Sequence, residues 1–204
     1  MNYNYLFIFT LIFFIIFTIF YHSKKINNIQ FIKNTGSIPN SFFLNNLNTK
    51  TTLFNILKHD TLNKKGQIGN THVYYGVLAN NDLNGFPSMR QMKLFFSMDK
   101  EEIYIKTFSN SNKLKEIEKN TKVSILIPLK YGTSYLDIVI KGQIKRTIER
   151  ESNEFITFQI TPEKIVMHHN LKNMNDRKME IYEGIWKDTD SLKKNISYDK
   201  KIPM

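Results

Sequence analysis

The chain contains no cysteine. A disulfide framework, a thiol nucleophile and any cysteine-ligated zinc or iron–sulfur site are excluded. There is no Ser-His-Asp order, no Walker phosphate loop and no dinucleotide-binding glycine fingerprint. Their absence argues against a serine-hydrolase triad and the commonest nucleotide-binding folds. Acidic residues are missing from the first 59 positions, Asp60 being the first of them. Charge of either sign is missing from Tyr5 to Tyr21, which reads YLFIFTLIFFIIFTIFY.

That uncharged run is 17 residues long, at the short limit for a helix that spans a bilayer. Its apolar residues go all round such a helix, with no polar stripe. A signal-peptide core is the rival reading, and a buried core helix is a third. No Lys or Arg precedes the run, and Lys24 and Lys25 follow it. Residues 1–22 are therefore read as a signal peptide or membrane anchor, and membrane contact is expected only through this segment. Residues 23–59 are acid-poor, basic and rich in Asn, Ser and Thr, which is the composition of a transit peptide. A signal followed by such a segment resembles the two-part leader of proteins sent to the complex plastid of certain parasites. A plain linker between an anchor and the domain is the alternative, and Asn45 to His59 have the pattern of a short helix opening the domain.

The net charge is +11, with 29 basic and 18 acidic residues. Five of the basic residues precede Asp60, so the rest of the chain carries only +6. A basic balance points to an anionic partner, and a phosphate ligand serves as well as nucleic acid. The aromatics Tyr74, Tyr75, Phe95, Phe96 and Tyr104 have the spacing of strands packing a barrel. The lysines do not interleave with them as a nucleic-acid motif would require, so no nucleic acid is expected.

Residues 60–190 read as one mostly β domain with few helices. Thr71 to Ala79, Pro87 to Phe96 and Glu102 to Thr107 are extended runs separated by turn residues. Asn112 to Asn120 form a short helix capped at Ser109 to Ser111. Val123 to Ile127 and Ser134 to Thr147 are further strands, with a bulge or bend expected at Gly142. Phe155 to Ile160 and Ile165 to His169 read as two strands around Pro162, and Met179 to Trp186 as a last one. Several short strands with little helix argue for a small closed barrel. Residues 191–204 read as a basic tail, disordered from Lys193 to Lys201. His168 and His169 are adjacent and point to opposite faces of a strand, so they cannot share one metal, and no metal site is assigned.

Three stretches in a row carry a family pattern. Gly85-Phe86-Pro87-Ser88-Met89-Arg90 is the first. Ile103-Tyr104-Ile105-Lys106-Thr107 with Ser111-Asn112-Lys113 is the second, and Asn120-Thr121-Lys122-Val123-Ser124-Ile125-Leu126 is the third. In order and spacing they resemble the pyridoxamine 5′-phosphate oxidase family, and weaker matches at Asp137 to Gly142, Thr161 to Ile165 and Asp176-Arg177 extend the likeness over most of residues 72–187. The resemblance implies a split β-barrel of the FMN-binding type and an FMN-dependent oxidoreductase. It also implies a homodimer with each flavin in the groove between two barrels.

Carried over position by position, the resemblance implies cofactor contacts at Arg90, Gln91, Met92, Thr107, Ser111, Asn112, Lys113 and Asp137. The chemistry of these residues suits a phosphate. Arg90 supplies a bidentate fork, Lys113 a point charge, Thr107 a hydroxyl, and the helix opening at Ser111 its N–H groups. The chain also departs from the family. The family's substrate lysine falls at Phe95, its second phosphate arginine at Asn112, its flavin-contacting glutamine at Asp137, and the cations that hold the vitamin B6 phosphate at Asn173 and Asn175. Losing those cations weakens substrate binding by roughly 1.5–3 kcal/mol per charged hydrogen bond. The expectation is thus an FMN flavoprotein acting on an unknown small molecule, with no catalytic residue assigned. A non-catalytic module binding flavin, a B6 vitamer or haem is the alternative.

Overall fold

The computed structural model describes residues 48–132, 134–147, 154–172, 176–186 and 193–201. The leader and the positions Asn173 and Asn175 lie outside these residues. In chain order the elements are helix α1 (Thr49–His59) and strands β1 (Gly66–Ile68), β2 (Thr71–Asn81), β3 (Pro87–Ser97) and β4 (Glu102–Phe108). Helix α2 (Asn112–Lys119) comes next. Strands β5 (Lys122–Tyr131), β6 (Ser134–Thr147), β7 (Phe155–Lys172), β8 (Asp176–Ile185) and β9 (Lys193–Lys201) complete the chain.

Alternation decides which faces meet. Strand β5 buries Val123, Ile125, Ile127, Leu129 and Tyr131, and β6 buries Leu136, Ile138, Ile140 and Ile144. Such period-two patterning needs a partner surface for one face only. The sheet supplies it by closing on itself. Its order runs β4-β3-β2-β5-β6-β7, and β7 pairs back onto β4. Every described pairing is antiparallel. The result is a six-stranded barrel filled by one apolar core. Strands β8 and β9 continue the sheet beyond β7, and β1 pairs with β2.

The two helices cover opposite ends of the barrel. At one end α1 begins at Asn48, whose side chain accepts from the Thr51 amide at 2.7 Å. It buries Leu53, Phe54, Ile56 and Leu57. Phe54 meets Phe96 edge-on at 6.3 Å and lies 6.3 Å from Trp186. Tyr74 donates its hydroxyl to the Leu57 carbonyl at 2.9 Å, and the His72 Nδ1 lies 3.2 Å from the same oxygen. Those contacts satisfy a carbonyl in the last turn, where the helix itself offers no donor. This helix falls inside the range that composition reads as a linker, yet its apolar side chains belong to the core. At the other end α2 buries Ile117, and its Glu116 accepts from Arg90.

Two expectations are corrected. Phe155 to Lys172 form one continuous strand of 18 residues, not two. Its first part pairs β4 as far as Ile160, and its second part pairs β8 from Lys164. Pro162 falls between those partners, opposite a register shift at Lys141/Gly142, where a missing N–H costs little. A Cβ at Gly142 would lie 2.2 Å from the Thr161 carbonyl oxygen, so the bulge expected there has room only for glycine. The second correction is the basic tail. Lys193 to Lys201 are paired with β8, and the register sets Lys193 opposite Glu183. An acidic position on the neighbouring strand offers a partner that lysine content alone does not reveal.

No helix among the described residues is long and apolar enough to cross a membrane.

Candidate functional site

Strands β3 and β4 pair only from Leu94 and Ile105 to Ser97 and Glu102. Beyond Leu94, β3 stays with β2 as far as Pro87. Beyond Ile105, β4 stays with β7 as far as Phe108. The two strands part company, and a cleft of about 500 Å³ opens between them. The barrel is thus split on this side, and the start of α2 lies across the split.

The walls of the cleft are basic and aromatic. From β3 come Gln91, Met92, Lys93 and Phe95, and from β4 come Lys106, Thr107 and Phe108. Ser111, Lys113 and Phe155 complete the lining. No carboxylate is among these residues. Phe108 and Phe155 meet with ring centres 4.7 Å apart. Phe95 stacks on Tyr104 at 5.2 Å, with its planes 8° from parallel, and the Lys106 ammonium lies 5.8 Å from its ring centre. These are flat apolar surfaces with cations at their margins, which suits a planar anionic ligand.

Lys113 sits at the inner end. Ser111 caps α2 by accepting from the Lys113 amide at 3.3 Å. The Lys113 ammonium donates to the Met92 sulfur at 3.1 Å, and a thioether is a weak acceptor. Burial holds this lysine's pKa below its ordinary value, with the Arg90 guanidinium acting in the same direction and Glu116 opposing. The amides of Ser111, Lys113 and Leu114 all have local acceptors. The positive character here therefore comes from the side chain more than from the helix end.

Arg90 does not reach the cleft wall. It shares the inward parity of Met92, Leu94 and Phe96 and lies at the barrel end covered by α2. Its guanidinium donates to Glu116, to Ser88 at 2.5 Å and to Asn80 at 3.4 Å. The Arg90 and Glu116 side chains are only 20% and 16% exposed. One arm of the fork expected at Arg90, its Nη2, is thus engaged by a carboxylate. Asn112 is exposed at the start of α2 and does not line the cleft. Asp137 lies on the outer face of β6, opposite His168 in register. Burial raises its pKa and His168 opposes the rise, and it too is absent from the lining.

The cleft therefore gathers Gln91, Met92, Thr107, Ser111 and Lys113 from the expected set and leaves out Arg90, Asn112 and Asp137. Residues that sequence reading did not assign to a site also line it: Lys93, Phe95, Lys106, Phe108 and Phe155. Period-two alternation could have found some of them, because Gln91, Lys93 and Phe95 share one face of β3. His169 lies elsewhere. It is buried near the α1 end, opposite Glu180 in register, and Tyr182 donates to that glutamate at 2.5 Å.

No family model and no curated protein matches the chain. Solved structures similar to it include a pyridoxamine 5′-phosphate oxidase-related, FMN-binding protein from Nostoc punctiforme. That likeness has 12% identity and a TM-score of 0.44, and covers 64% of this chain and 87% of that one. A protein provisionally named a pyridoxamine 5′-phosphate oxidase, from Listeria innocua, is similar at 18% identity and a TM-score of 0.43, over 57% and 94% of the two chains. A haem-binding protein from Mycobacterium smegmatis is similar at 10% identity and a TM-score of 0.41, over 46% and 48%. Likenesses of this strength decide nothing about ligand or activity.

Proposed function

We propose that the cleft binds FMN and that the protein is a flavoprotein oxidoreductase. One observation carries this reading: a half-buried ammonium, Lys113, at the inner end of an aromatic-walled cleft, with a thioether as its hydrogen-bond acceptor. An anionic group would give that cation the partner its burial calls for. Thr107 and Ser111 add hydroxyl donors beside it. Phe95, Phe108 and Phe155 offer flat surfaces to a ring system. When bound, the flavin supplies the electron-accepting ring, and the chain supplies binding, orientation and electrostatics. Arg90 is no part of this reading while Glu116 holds it.

We also propose a homodimer. The register aligns Gln91, Val77, Leu126, Val139 and Val166 across the outer face of β3, β2, β5, β6 and β7. Tyr75, Leu126 and Tyr135 are among the exposed large apolar residues of the chain. The row starts at Gln91 on the cleft, so a second copy on this face would also roof the ligand. A face of this kind favours a self-complementary contact.

A non-catalytic carrier is the second reading, favoured by a lining without carboxylate or imidazole. The test is the absorption spectrum of the purified protein, followed by assay with NADH or NADPH and an electron acceptor. Bound flavin with turnover supports the oxidoreductase. Bound flavin without turnover supports the carrier. No flavin and no uptake on adding FMN would sink the oxidoreductase and a flavin carrier alike, and leave a carrier of a B6 vitamer or haem to be tested by the same titration.

A further inference from the structure

Helix α2 makes two rungs onto β3. Lys113 reaches Met92, and Glu116, three residues on and so on the same side of the helix, reaches Arg90. Met92 and Arg90 are likewise two apart and share one face of their strand. The upper rung lines the cleft, and the lower one lies behind it, at the barrel end under α2. The upper rung leaves a cation facing the ligand space. The lower rung offsets one: the Arg90 Nη2 donates to Glu116 and to the neutral acceptors Ser88 and Asn80. Arg90 and Lys113 are close enough to repel, and Glu116 is close enough to both to offset that. The net charge presented to a ligand at this end is therefore that of one cation. Without Glu116 it would be that of two.

We propose that Glu116 is a specificity-determining residue that limits the anionic charge the cleft accepts. It does so by withholding the Arg90 fork and by setting a carboxylate beside the place where a phosphate would approach. This rests on the reading of the cleft as a flavin-phosphate site. Under it, Glu116 narrows the gap in affinity between a phosphorylated ligand and its unphosphorylated counterpart. A guanidinium released from its carboxylate can turn to the ligand as a bidentate donor, and the repulsion between two anions is removed in the same step.

The test titrates FMN and riboflavin into the full chain and into Glu116→Gln at one pH and ionic strength. Glutamine keeps the size of the side chain, so the barrel end stays packed, but it offers Arg90 only a neutral and weaker acceptor that an anionic ligand can outcompete. FMN affinity is expected to rise on the order of tenfold, the worth of one charge-assisted hydrogen bond, with riboflavin affinity changing less than about twofold on the same scale. The gain should vanish in the double variant Glu116→Gln/Arg90→Gln, which identifies Arg90 as the released donor. FMN affinity unchanged or lowered in Glu116→Gln, or FMN and riboflavin shifting together, would overturn the proposal. Inorganic pyrophosphate separates this from failure of the flavin reading. If the wild type takes up no FMN, the flavin reading fails. Pyrophosphate binding that tightens in Glu116→Gln then still supports charge selection, and pyrophosphate binding that does not tighten overturns it.

Discussion

The Lys113 ammonium lies 3.1 Å from the Met92 sulfur. A lysine taken partly out of water and given a soft acceptor is held at a cost that a merely structural residue would avoid. Lys113→Met keeps the length of the side chain and removes the charge. Its stability in urea should be equal to the wild type or higher, within about 1 kcal/mol. A loss well beyond that would mean the ammonium holds the fold together, and the functional assignment of Lys113 would lose its basis.

The buried histidines predict an acid limb of stability. His169 and His72 are both buried, and burial lowers both pKa values below the ordinary 6.5. Glu180 opposes the shift at His169, and the Leu57 carbonyl opposes it at His72. The native state therefore keeps these rings neutral at a pH where the unfolded chain has begun to protonate them. The stability they contribute is fully present above pH 6.5 and is lost as pH falls from there through the folded-state values. Urea melts at pH 7.5 and 5.5 should show the drop, and His169→Gln should shrink it. An unchanged pH slope in that variant would count against the assignment.

Gly142→Ala places a methyl group 2.2 Å from the Thr161 carbonyl oxygen and 2.8 Å from the Pro162 Cα. Both are backbone atoms, which cannot swing aside as a side-chain tip can. The variant should lose roughly 1–3 kcal/mol of stability. Gly66 has nothing within 4 Å of its added Cβ, so Gly66→Ala should stay within about 0.5 kcal/mol of wild type. Equal effects at the two positions would show that the β6–β7 bulge is not tight.

Tyr74→Phe removes the stronger of two contacts to the Leu57 carbonyl, leaving the His72 ring at 3.2 Å. Because that second contact remains, the expected loss is about 1 kcal/mol and not the full penalty of a stranded buried acceptor. Chemical unfolding checks it. A neutral result would mean that the Tyr74 hydroxyl adds nothing to what His72 and the apolar side chains of α1 already supply.

Much of the barrel is legible in the chain because strands announce themselves locally. Alternation marks β2 to β6, and Gly142 marks the bulge by its own chemistry. Closure is not legible, since the pairing of Ile103 with Ile160 joins segments whose affinity lies in a shared core and not in any local pattern. Pro162 misleads for the same reason: a proline reads as a break unless one knows that β4 ends and β8 begins beside it. At the site, the resemblance names Thr107, Ser111 and Lys113, and one strand end and one helix start bring them to the cleft. It also names Arg90, which lies outside the cleft lining, because the inward parity of β3 and the partner at Glu116 are both tertiary facts. It passes over Phe108 and Phe155, which are far apart in sequence and meet only across β4 and β7.

The most direct test is a fluorescence titration of FMN against the full chain, run beside Lys113→Met. The cleft predicts saturable binding of one flavin per chain, with affinity falling on the order of tenfold or more when the Lys113 charge is removed. Binding that does not saturate, or that is as tight in Lys113→Met as in the wild type, would contradict the assignment of this cleft as a flavin-phosphate site.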